Sequence, residues 1–195
     1  MFKYDVNDRT YLSLMNSRDA AELYALIDQN REYIGKWLKF PSMTPRVEDS
    51  QAFITRTRWG YAKNEGYWLG IWSDGNLAGS IGFLYFDQDN RKTEIGYWLG
   101  KAYEGQGLIT ASVTALIHYA FDELNMNKIE IGAATMNTRS RAIPEKLGFK
   151  QEGIIRDYEF LNGGFIDRVI YGLKAEEWKE STLKFKRKQE TQDEH

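Results

Sequence analysis

The stretch that decides the fold is Glu94-Ile-Gly-Tyr-Trp-Leu-Gly-Lys-Ala-Tyr-Glu-Gly-Gln-Gly-Leu-Ile-Thr110. It predicts a strand, then a glycine-bearing turn, then the start of a long amphipathic helix at Leu108. A helix that begins directly after a turn points several unpaired backbone N–H groups at one place, at the positive end of its dipole. Such a place can bind phosphate groups without any basic side chain.

Composition narrows the class of protein around this stretch. The chain has 195 residues, of which 42% are apolar and 28% charged, as in an ordinary globular domain. Lys and Arg (26) nearly balance Asp and Glu (28), so direct binding of nucleic acid is not expected. With no cysteine and two histidines, a cysteine nucleophile is excluded and no metal site is expected. No signal peptide or membrane-spanning run is visible, so we expect a cytoplasmic protein without a membrane partner.

Hydrophobic periodicity and turn residues predict short strands interleaved with helices. Strands are expected at residues 10–14, 67–72, 77–86, 93–99, 128–134, 154–161 and 165–173. Helices are expected at residues 18–29, 31–40, 48–63, 108–124 and 138–147. Strands outnumber the helices that could connect parallel neighbours, which predicts an α/β (α+β) fold with a mixed sheet of about seven strands flanked by helices. Residues 1–178 are expected to form one domain, followed by a charged tail at 179–195.

The glycine turn by itself is a short signal. Gly105 and Gly107 permit a close approach between the backbone and a ligand. The turn lacks the Gly-Lys-Ser/Thr of a nucleoside-triphosphate loop and the third glycine of the dinucleotide fingerprint. A ligand-binding turn and a tight turn that binds nothing therefore remain open on this signal alone.

Several motifs accompany the turn. They are Gly35-Lys-Trp-Leu, Thr93-Glu-Ile-Gly-Tyr-Trp-Leu99, Gly105-Gln-Gly107, Asn137-x-x-Ser140, Lys146-Leu-Gly-Phe149 and Tyr158-x-x-Leu-Asn-Gly163. In this combination the chain resembles the GNAT superfamily of acyl-CoA-dependent N-acyltransferases over roughly residues 10–178. The detail is similar to one branch, the bacterial ribosomal-protein N-terminal (serine/alanine) acetyltransferases. The resemblance implies a GNAT-like, largely antiparallel sheet.

The resemblance also implies acetyl-CoA as co-substrate, with its pyrophosphate on the turn amides and its pantetheine along the preceding strand. The residues expected to bind it are Tyr97, Trp98, Leu99, Gly105, Gln106, Gly107, Leu108, Ile109, Thr110, Asn137, Ser140 and Lys146. Glu104 and Ile109 depart from the superfamily pattern, which often has Gln or Arg and a small residue there. Glu104 would place negative charge near the pyrophosphate, which is unfavourable unless its side chain points to solvent.

Acyl transfer from a thioester to an amine needs a base for the amine, donors for the oxyanion and a proton for the leaving thiolate. The resemblance implies that Ser140 supplies that proton and that Asn137 contacts the CoA arm. Asn137 could instead simply cap the helix in whose first turn Ser140 stands. Pro144 has no N–H, so the carbonyl of Ser140 loses its helical partner, and we expect a kink or a bound water there.

Two carboxylates compete for the role of base. The resemblance implies Glu159, which strict alternation in its strand places on one face with Asp157 and Leu161. Glu94, in the strand that would line the cofactor cleft, is the alternative. Its other interpretation is an ion pair with Arg91 or Lys92, and the other interpretation of Glu159 is a solvated surface residue.

The sequence thus predicts an N-acetyltransferase that acts by direct attack in a ternary complex. The resemblance implies that the acceptor is a protein N-terminus, and a ribosomal one, and that the enzyme is a homodimer. We expect the acceptor between residues 18–40 and the Asn162-Gly-Gly turn. The alternatives are acetylation of a small amine such as a polyamine or aminoglycoside, and a CoA-binding protein without turnover.

Overall fold

A computed structural model describes residues 3–180 of the chain. The strands are β1 (Lys3–Asn7), β2 (Thr10–Ser13), β3 (Tyr67–Ser73), β4 (Asn76–Asp87), β5 (Lys92–Leu99), β6 (Lys128–Ala134), β7 (Lys150–Leu161) and β8 (Gly164–Lys174). The α-helices are α1 (Ala20–Gln29), α2 (Arg31–Gly35), α3 (Val47–Lys63), α4 (Leu108–His118) and α5 (Thr138–Lys146), and the described residues 175–180 are also helical. Short 3₁₀ turns lie at Ser17–Asp19, Phe40–Met43 and Lys101–Tyr103. The predicted tail falls almost wholly outside the described residues.

All eight strands form one sheet in the order β1-β2-β3-β4-β5-β6-β8-β7. Every neighbouring pair is antiparallel except β5–β6, which is parallel. The predicted mixed, largely antiparallel sheet is therefore confirmed, with one strand more than expected. The additional strand is β1, whose alternating residues are only exposed or half-buried, so its sequence carries little strand signal.

The sheet separates two hydrophobic cores because successive strand residues point to opposite faces. One core contains α4, whose Val113, Leu116 and Ile117 pack on strand residues such as Ile95. The other contains α1 and residues such as Ile54 of α3, packed against Trp98. The glycine turn between β5 and α4 and the segment α1–α3 consequently meet at one end of β5.

Two predicted helices are interrupted. The helix expected at 108–124 is α-helical to His118 and then a π-helical turn, Tyr119–Glu123, although Ala120 and Phe121 stay buried as the periodicity requires. The helix expected at 31–40 ends at Gly35, and a separate 3₁₀ turn begins at Phe40. Glycine is a weak helix former, which favours the end of α2 at Gly35.

Candidate active site

A cleft opens where the parallel pairing of β5 and β6 ends. The two strands pair only from Lys92↔Lys128 to Glu94↔Glu130, and no pairing between them follows. The separated halves of both strands line a cleft of about 1390 Å³, together with the glycine turn, α5, the segment from α1 to α3 and the β7–β8 hairpin. An open space between diverging strands admits a ligand to backbone groups that a continuous sheet would have paired.

The glycine turn forms one end of this cleft. Gly105 and Gly107 have left-handed backbone angles (φ 74° and 73°), which only glycine adopts without strain. No atom lies within 4 Å of where a Cβ would stand on either residue, so the space beside them is open. Among the described residues, the first amide of α4 with a backbone acceptor is that of Ala111, which donates to the carbonyl of Gly107 at 3.0 Å. The preceding amides are free to bind an anion.

The negative charge of Glu104, beside this turn, is balanced by two partners. The Tyr33 hydroxyl donates to one carboxylate oxygen, and Arg139 Nη1 lies 2.6 Å from the other. The hydrogen bond from Tyr33, aided by that from Arg139, holds the pKa of Glu104 below its ordinary value despite partial burial. The sequence offered solvent as the only harmless direction for this side chain, whereas the fold provides two partners.

Ser140 also lines the cleft, from the first turn of α5. Asn137 Oδ1 accepts its backbone N–H at 3.2 Å, so Asn137 does cap the helix while also lining the cleft. The Tyr97 hydroxyl donates to the carbonyl of Ser140 at 2.9 Å, and the two hydroxyl oxygens are 3.4 Å apart. The carbonyl that Pro144 leaves without a helical partner is therefore paired with Tyr97, so the bound water expected from sequence is not required. Burial raises the pKa of Tyr97, which keeps its hydroxyl protonated.

Glu159 lines the cleft from β7 and is half-buried. The alternation predicted for this strand holds from Glu159 to Leu161 but fails at Asp157, because three residues lie between Ile155 and Glu159 while one lies between their partners Arg168 and Ile166. The two extra residues form a bulge at Arg156–Tyr158, in which Asp157 has a left-handed φ of 49°. Glu159 has no hydrogen-bonding or ion-pair partner among residues 3–180, so its carboxylate is available to a ligand.

Glu94 is placed differently. Its carboxylate forms an ion pair with Arg168 of β8, rather than with Arg91 or Lys92, and its side chain is 15% exposed. It is not among the residues that line the cleft. Burial raises its pKa, and the charge of Arg168 opposes that rise. The geometry favours Glu159 over Glu94 as the group that could meet a substrate.

Residues 9–150 match the sequence profile described as "Acetyltransferase (GNAT) domain". The chain belongs to the GNAT acetyltransferase family. Its relatives include "Putative ribosomal N-acetyltransferase YdaF" of Bacillus subtilis strain 168, which is 43% identical over 91% of this chain and 98% of that protein. The "Ribosomal-protein-serine acetyltransferase" of Escherichia coli K12 is 29% identical over 85% of this chain and 93% of that protein.

A solved structure has the same fold. The microcin C7 self-immunity acetyltransferase MccE, crystallised with acetyl-CoA and AMP, matches this GNAT acetyltransferase with a TM-score of 0.84 and 31% identity, over 87% of this chain and 94% of that one. The enzyme class, the fold and the family expected from the sequence motifs are thus confirmed.

Most residues predicted to bind the co-substrate line the cleft of this GNAT enzyme. They are Tyr97, Trp98, Leu99, Gly105, Gly107, Leu108, Ile109, Thr110, Asn137 and Ser140. Gln106 and Lys146 are exposed and are not among the lining residues. Gln106 instead donates to the carbonyl of Ala102 at 3.3 Å. Their predicted contacts with CoA remain predictions.

Two charged residues that pair with candidate site carboxylates, Arg139 with Glu104 and Arg168 with Glu94, were not predicted. Each gains its place through a partner distant in sequence, so no local pattern marks it. Within residues 3–180, no group of three or more His, Cys, Asp or Glu side chains could hold a metal ion. The helices of the same residues include none that is both long and apolar enough to cross a bilayer.

Proposed function

We propose that this GNAT enzyme transfers the acetyl group of acetyl-CoA to the α-amine of a protein N-terminus. The observation that carries the proposal is a single cleft in which free amides of the glycine turn, the Ser140 hydroxyl and the unpaired Glu159 carboxylate all lie on the walls. The turn amides would hold the pyrophosphate through the helix dipole and direct hydrogen bonds. The separated edge of β5 would pair with the amide groups of the pantetheine.

The proposed reaction is a direct attack with both substrates bound. Glu159 accepts a proton from the ammonium form of the acceptor, directly or through water, and the neutral amine attacks the thioester carbon. This attack forms the C–N bond and gives a tetrahedral intermediate, whose nitrogen releases its second proton to solvent. Collapse of the intermediate restores the carbonyl and breaks the C–S bond, which frees the CoA thiolate. Ser140 then supplies a proton to the CoA thiolate, while the hydroxyl of Tyr97 holds the Ser140 carbonyl in place at 2.9 Å.

The acceptor is proposed to enter between α2 and the β7–β8 hairpin. Asn162 Nδ2 donates to the carbonyl of Gly35 at 2.9 Å and so ties these two segments together. A second cavity of about 410 Å³ lies beside this contact and shares Leu38 and Lys39 with the main cleft. This space could take the residues of a peptide that follow its N-terminus. The names of the relatives support a ribosomal protein as that peptide's source.

A small amine is the second candidate acceptor, favoured by the resemblance to MccE. A polycation such as a polyamine needs several free carboxylates. Of the cleft carboxylates, Glu104 is paired with Arg139, Asp49 accepts the Arg46 amide at 3.0 Å, and Asp167 accepts the Asp157 amide at 3.0 Å. Glu159 alone among the carboxylates lining the cleft has no described partner, which favours a peptide over a polyamine.

The test is to incubate the enzyme with acetyl-CoA and a panel of ribosomal-protein N-terminal peptides, polyamines and aminoglycosides, and to read acetylation by mass spectrometry. We expect an increase of 42 Da on peptide α-amines, with N-terminally blocked peptides unmodified. Acetylation of lysine side chains or polyamines alone would contradict the proposed acceptor. Absence of any rise in melting temperature with acetyl-CoA would contradict the co-substrate.

We also propose that the enzyme is a homodimer. β7 is an edge strand of the sheet, and this region exposes the apolar side chains Ile154, Ile155, Phe160 and Phe165. Exposed apolar strands at a sheet edge are typical of surfaces that a partner covers. Light scattering on the purified protein should give twice the 22.7 kDa chain mass. A monomer at micromolar concentration would refute the dimer.

A further inference from the structure

The side chain of Arg168 lines the cleft and extends from β8 across the neighbouring strand β6. Arg168 pairs through its backbone with Ala134 of β6 on one side and Ile155 of β7 on the other. Its guanidinium lies over Gly132 of β6, where a Cβ would overlap it. It then reaches Glu94 of β5, two strands away from β8. The missing side chain at Gly132 opens this path.

The ion pair with Glu94 holds one side of the guanidinium. The two side chains are 18% and 15% exposed, so the pair is largely withdrawn from water. Glu94 stands at the last paired position of β5 and β6, where the two strands begin to separate. Arg168 Nε is buried without a hydrogen-bond partner among the described residues. A native protein rarely leaves such a donor unpaired. The orientation of the guanidinium therefore follows from its contacts with Glu94 and Tyr158 and not from a hydrogen bond at Nε.

The other side of the guanidinium contacts the bulge of β7. Its central carbon lies 4.5 Å from the ring centroid of Tyr158, within the range of a cation–π interaction. The preceding residue of β8, Asp167, accepts the backbone N–H of Asp157 at 3.0 Å. Two consecutive β8 side chains therefore hold the two bulge residues that precede Glu159.

We propose that Arg168 is a positioning residue that sets the direction of Glu159, and that Glu94 acts in catalysis only by anchoring Arg168. The inference rests on the proposed function, in which Glu159 is the base. A bulge can adopt more than one path, since its extra residues lie outside the ladder of backbone hydrogen bonds. Tyr158 is 46% exposed, and the guanidinium of Arg168 is the one polar or aromatic partner of its ring among residues 3–180, so this contact selects one path. That path aims Glu159 into the cleft.

The first test compares the steady-state kinetics of Arg168→Met and wild type, with an unmodified peptide that the wild type acetylates as the acceptor. We expect kcat to fall about 10- to 100-fold, as for a catalytic group displaced by a fraction of an ångström to an ångström. The KM for acetyl-CoA should change less than about twofold, because the turn and α5 do not contact Arg168. Lys150→Met, which breaks the Lys150–Glu177 pair at the start of the neighbouring strand β7, is the matched control and should retain wild-type turnover.

Tyr158 provides a test that does not disturb the buried pair. Tyr158→Phe keeps the ring over the guanidinium, and Tyr158→Leu removes it. We expect Tyr158→Leu to lower kcat at least about fivefold more than Tyr158→Phe does. Equal losses in the two variants would overturn the role of the cation–π contact. This comparison remains decisive if Arg168→Met does not fold.

Glu94 separates anchoring from base catalysis. Glu94→Gln should lower kcat less than Arg168→Met, and the double variant should match Arg168→Met alone, because both changes act through one contact. Loss of turnover in Glu94→Gln greater than in Arg168→Met would identify Glu94 as the base and overturn the inference. Amide hydrogen exchange gives a readout independent of turnover: exchange at residues 157–159 should accelerate in Arg168→Met. Unchanged exchange and kcat in an active enzyme would refute positioning, whereas a wild type without transferase activity would refute the proposed function instead.

Discussion

The two ends of the cleft are built from different chemical groups. At the end formed by the β5–α4 turn, the groups available to a ligand are backbone amides, presented by left-handed Gly105 and Gly107. At the other end, they are side chains from segments far apart in sequence, such as Glu159 of β7 and Arg168 of β8. The first end needs only a short local sequence. The second end needs the finished sheet.

This difference has a physical cause. A helix dipole and its unpaired amides exist as soon as the turn and α4 form, and they suit the phosphate group of any ligand. A carboxylate that removes a proton must instead stand within hydrogen-bond reach of one atom. That precision requires contacts such as those between Asp167 and the amide of Asp157, 3.0 Å apart and ten residues distant in sequence. Substitutions should therefore separate binding at one end from chemistry at the other.

The largest effect is expected from Gly107→Val. A side chain at this position projects into the open space beside the turn and favours a different φ, so CoA should lose at least two amide hydrogen bonds. At roughly 1.5 kcal/mol for each charge-assisted bond, the Kd for CoA should rise about 100-fold or more in isothermal titration calorimetry. Gly75→Val is the matched control, because Gly75 has a φ of 81° and open surroundings in the β3–β4 turn, away from the cleft. Equal losses of affinity would mean that backbone strain, and not the ligand site, causes the effect.

Glu159→Gln should lower turnover and leave CoA binding intact. The amide keeps the shape of the side chain but cannot accept a proton from an ammonium group, so kcat should fall about 10²- to 10⁴-fold. The Kd for CoA should stay within about twofold, because Glu159 lies at the other end of the cleft. Glu65→Gln, an exposed carboxylate outside the cleft, should retain full turnover. A wild-type rate in Glu159→Gln would reject Glu159 as the base.

Ser140→Ala should have a smaller effect on turnover. A thiolate is a stable leaving group, with a thiol pKa near 8.5, so its protonation is less demanding than removal of the amine proton. We expect kcat to fall about 10- to 100-fold in stopped-flow assays, with CoA binding retained. The companion variant Tyr97→Phe leaves the Ser140 carbonyl unpaired and should cost about 1–3 kcal/mol in the free energy of unfolding. Full turnover in Ser140→Ala would assign the proton to another donor.

Arg139→Ala tests how Glu104 is tolerated beside a phosphate site. Without the partner 2.6 Å from its carboxylate, Glu104 should repel the pyrophosphate by about 1 kcal/mol, which raises the Kd for CoA about fivefold at low salt. The double variant Arg139→Ala/Glu104→Gln should restore the affinity. If it does not, Arg139 itself contacts the phosphates.

The smallest effect is the pH dependence carried by Glu104. Its pKa is held below its ordinary value in the folded protein, chiefly by the hydrogen bond from Tyr33. Its contribution to stability is therefore present above the unfolded pKa of about 4.3 and is lost as the pH falls through the folded pKa. Near pH 7, the free energy of unfolding measured with denaturant should be higher for wild type than for Glu104→Gln by less than about 1 kcal/mol, and this difference should vanish in acid. A difference that persists at low pH would contradict the ionised pair.

The predictions from sequence succeeded where the signal is local. The β5–turn–α4 unit has its expected order, and the buried face of α4 matches its periodicity. They were wrong where the signal is weak or tertiary contacts intervene. β1 has few apolar residues, the helix from residue 108 changes to a π-helical turn after His118, and the bulge in β7 removes Asp157 from the alternation predicted for it with Glu159. A bulge is set by the pairing of two strands, which a single strand's sequence does not encode in its pattern.

The sequence by itself determined the strand–turn–helix unit, because glycine angles and hydrophobic periodicity act over a few residues, and its motifs pointed to the family. Only the tertiary structure decided what stands around that unit. It paired Glu104 with Tyr33 and Arg139, bound the Ser140 carbonyl to Tyr97, and withdrew Glu94 from the cleft into an ion pair with Arg168. Each of these contacts joins residues that lie 35 to 74 positions apart, and only the folded sheet brings them within hydrogen-bonding distance.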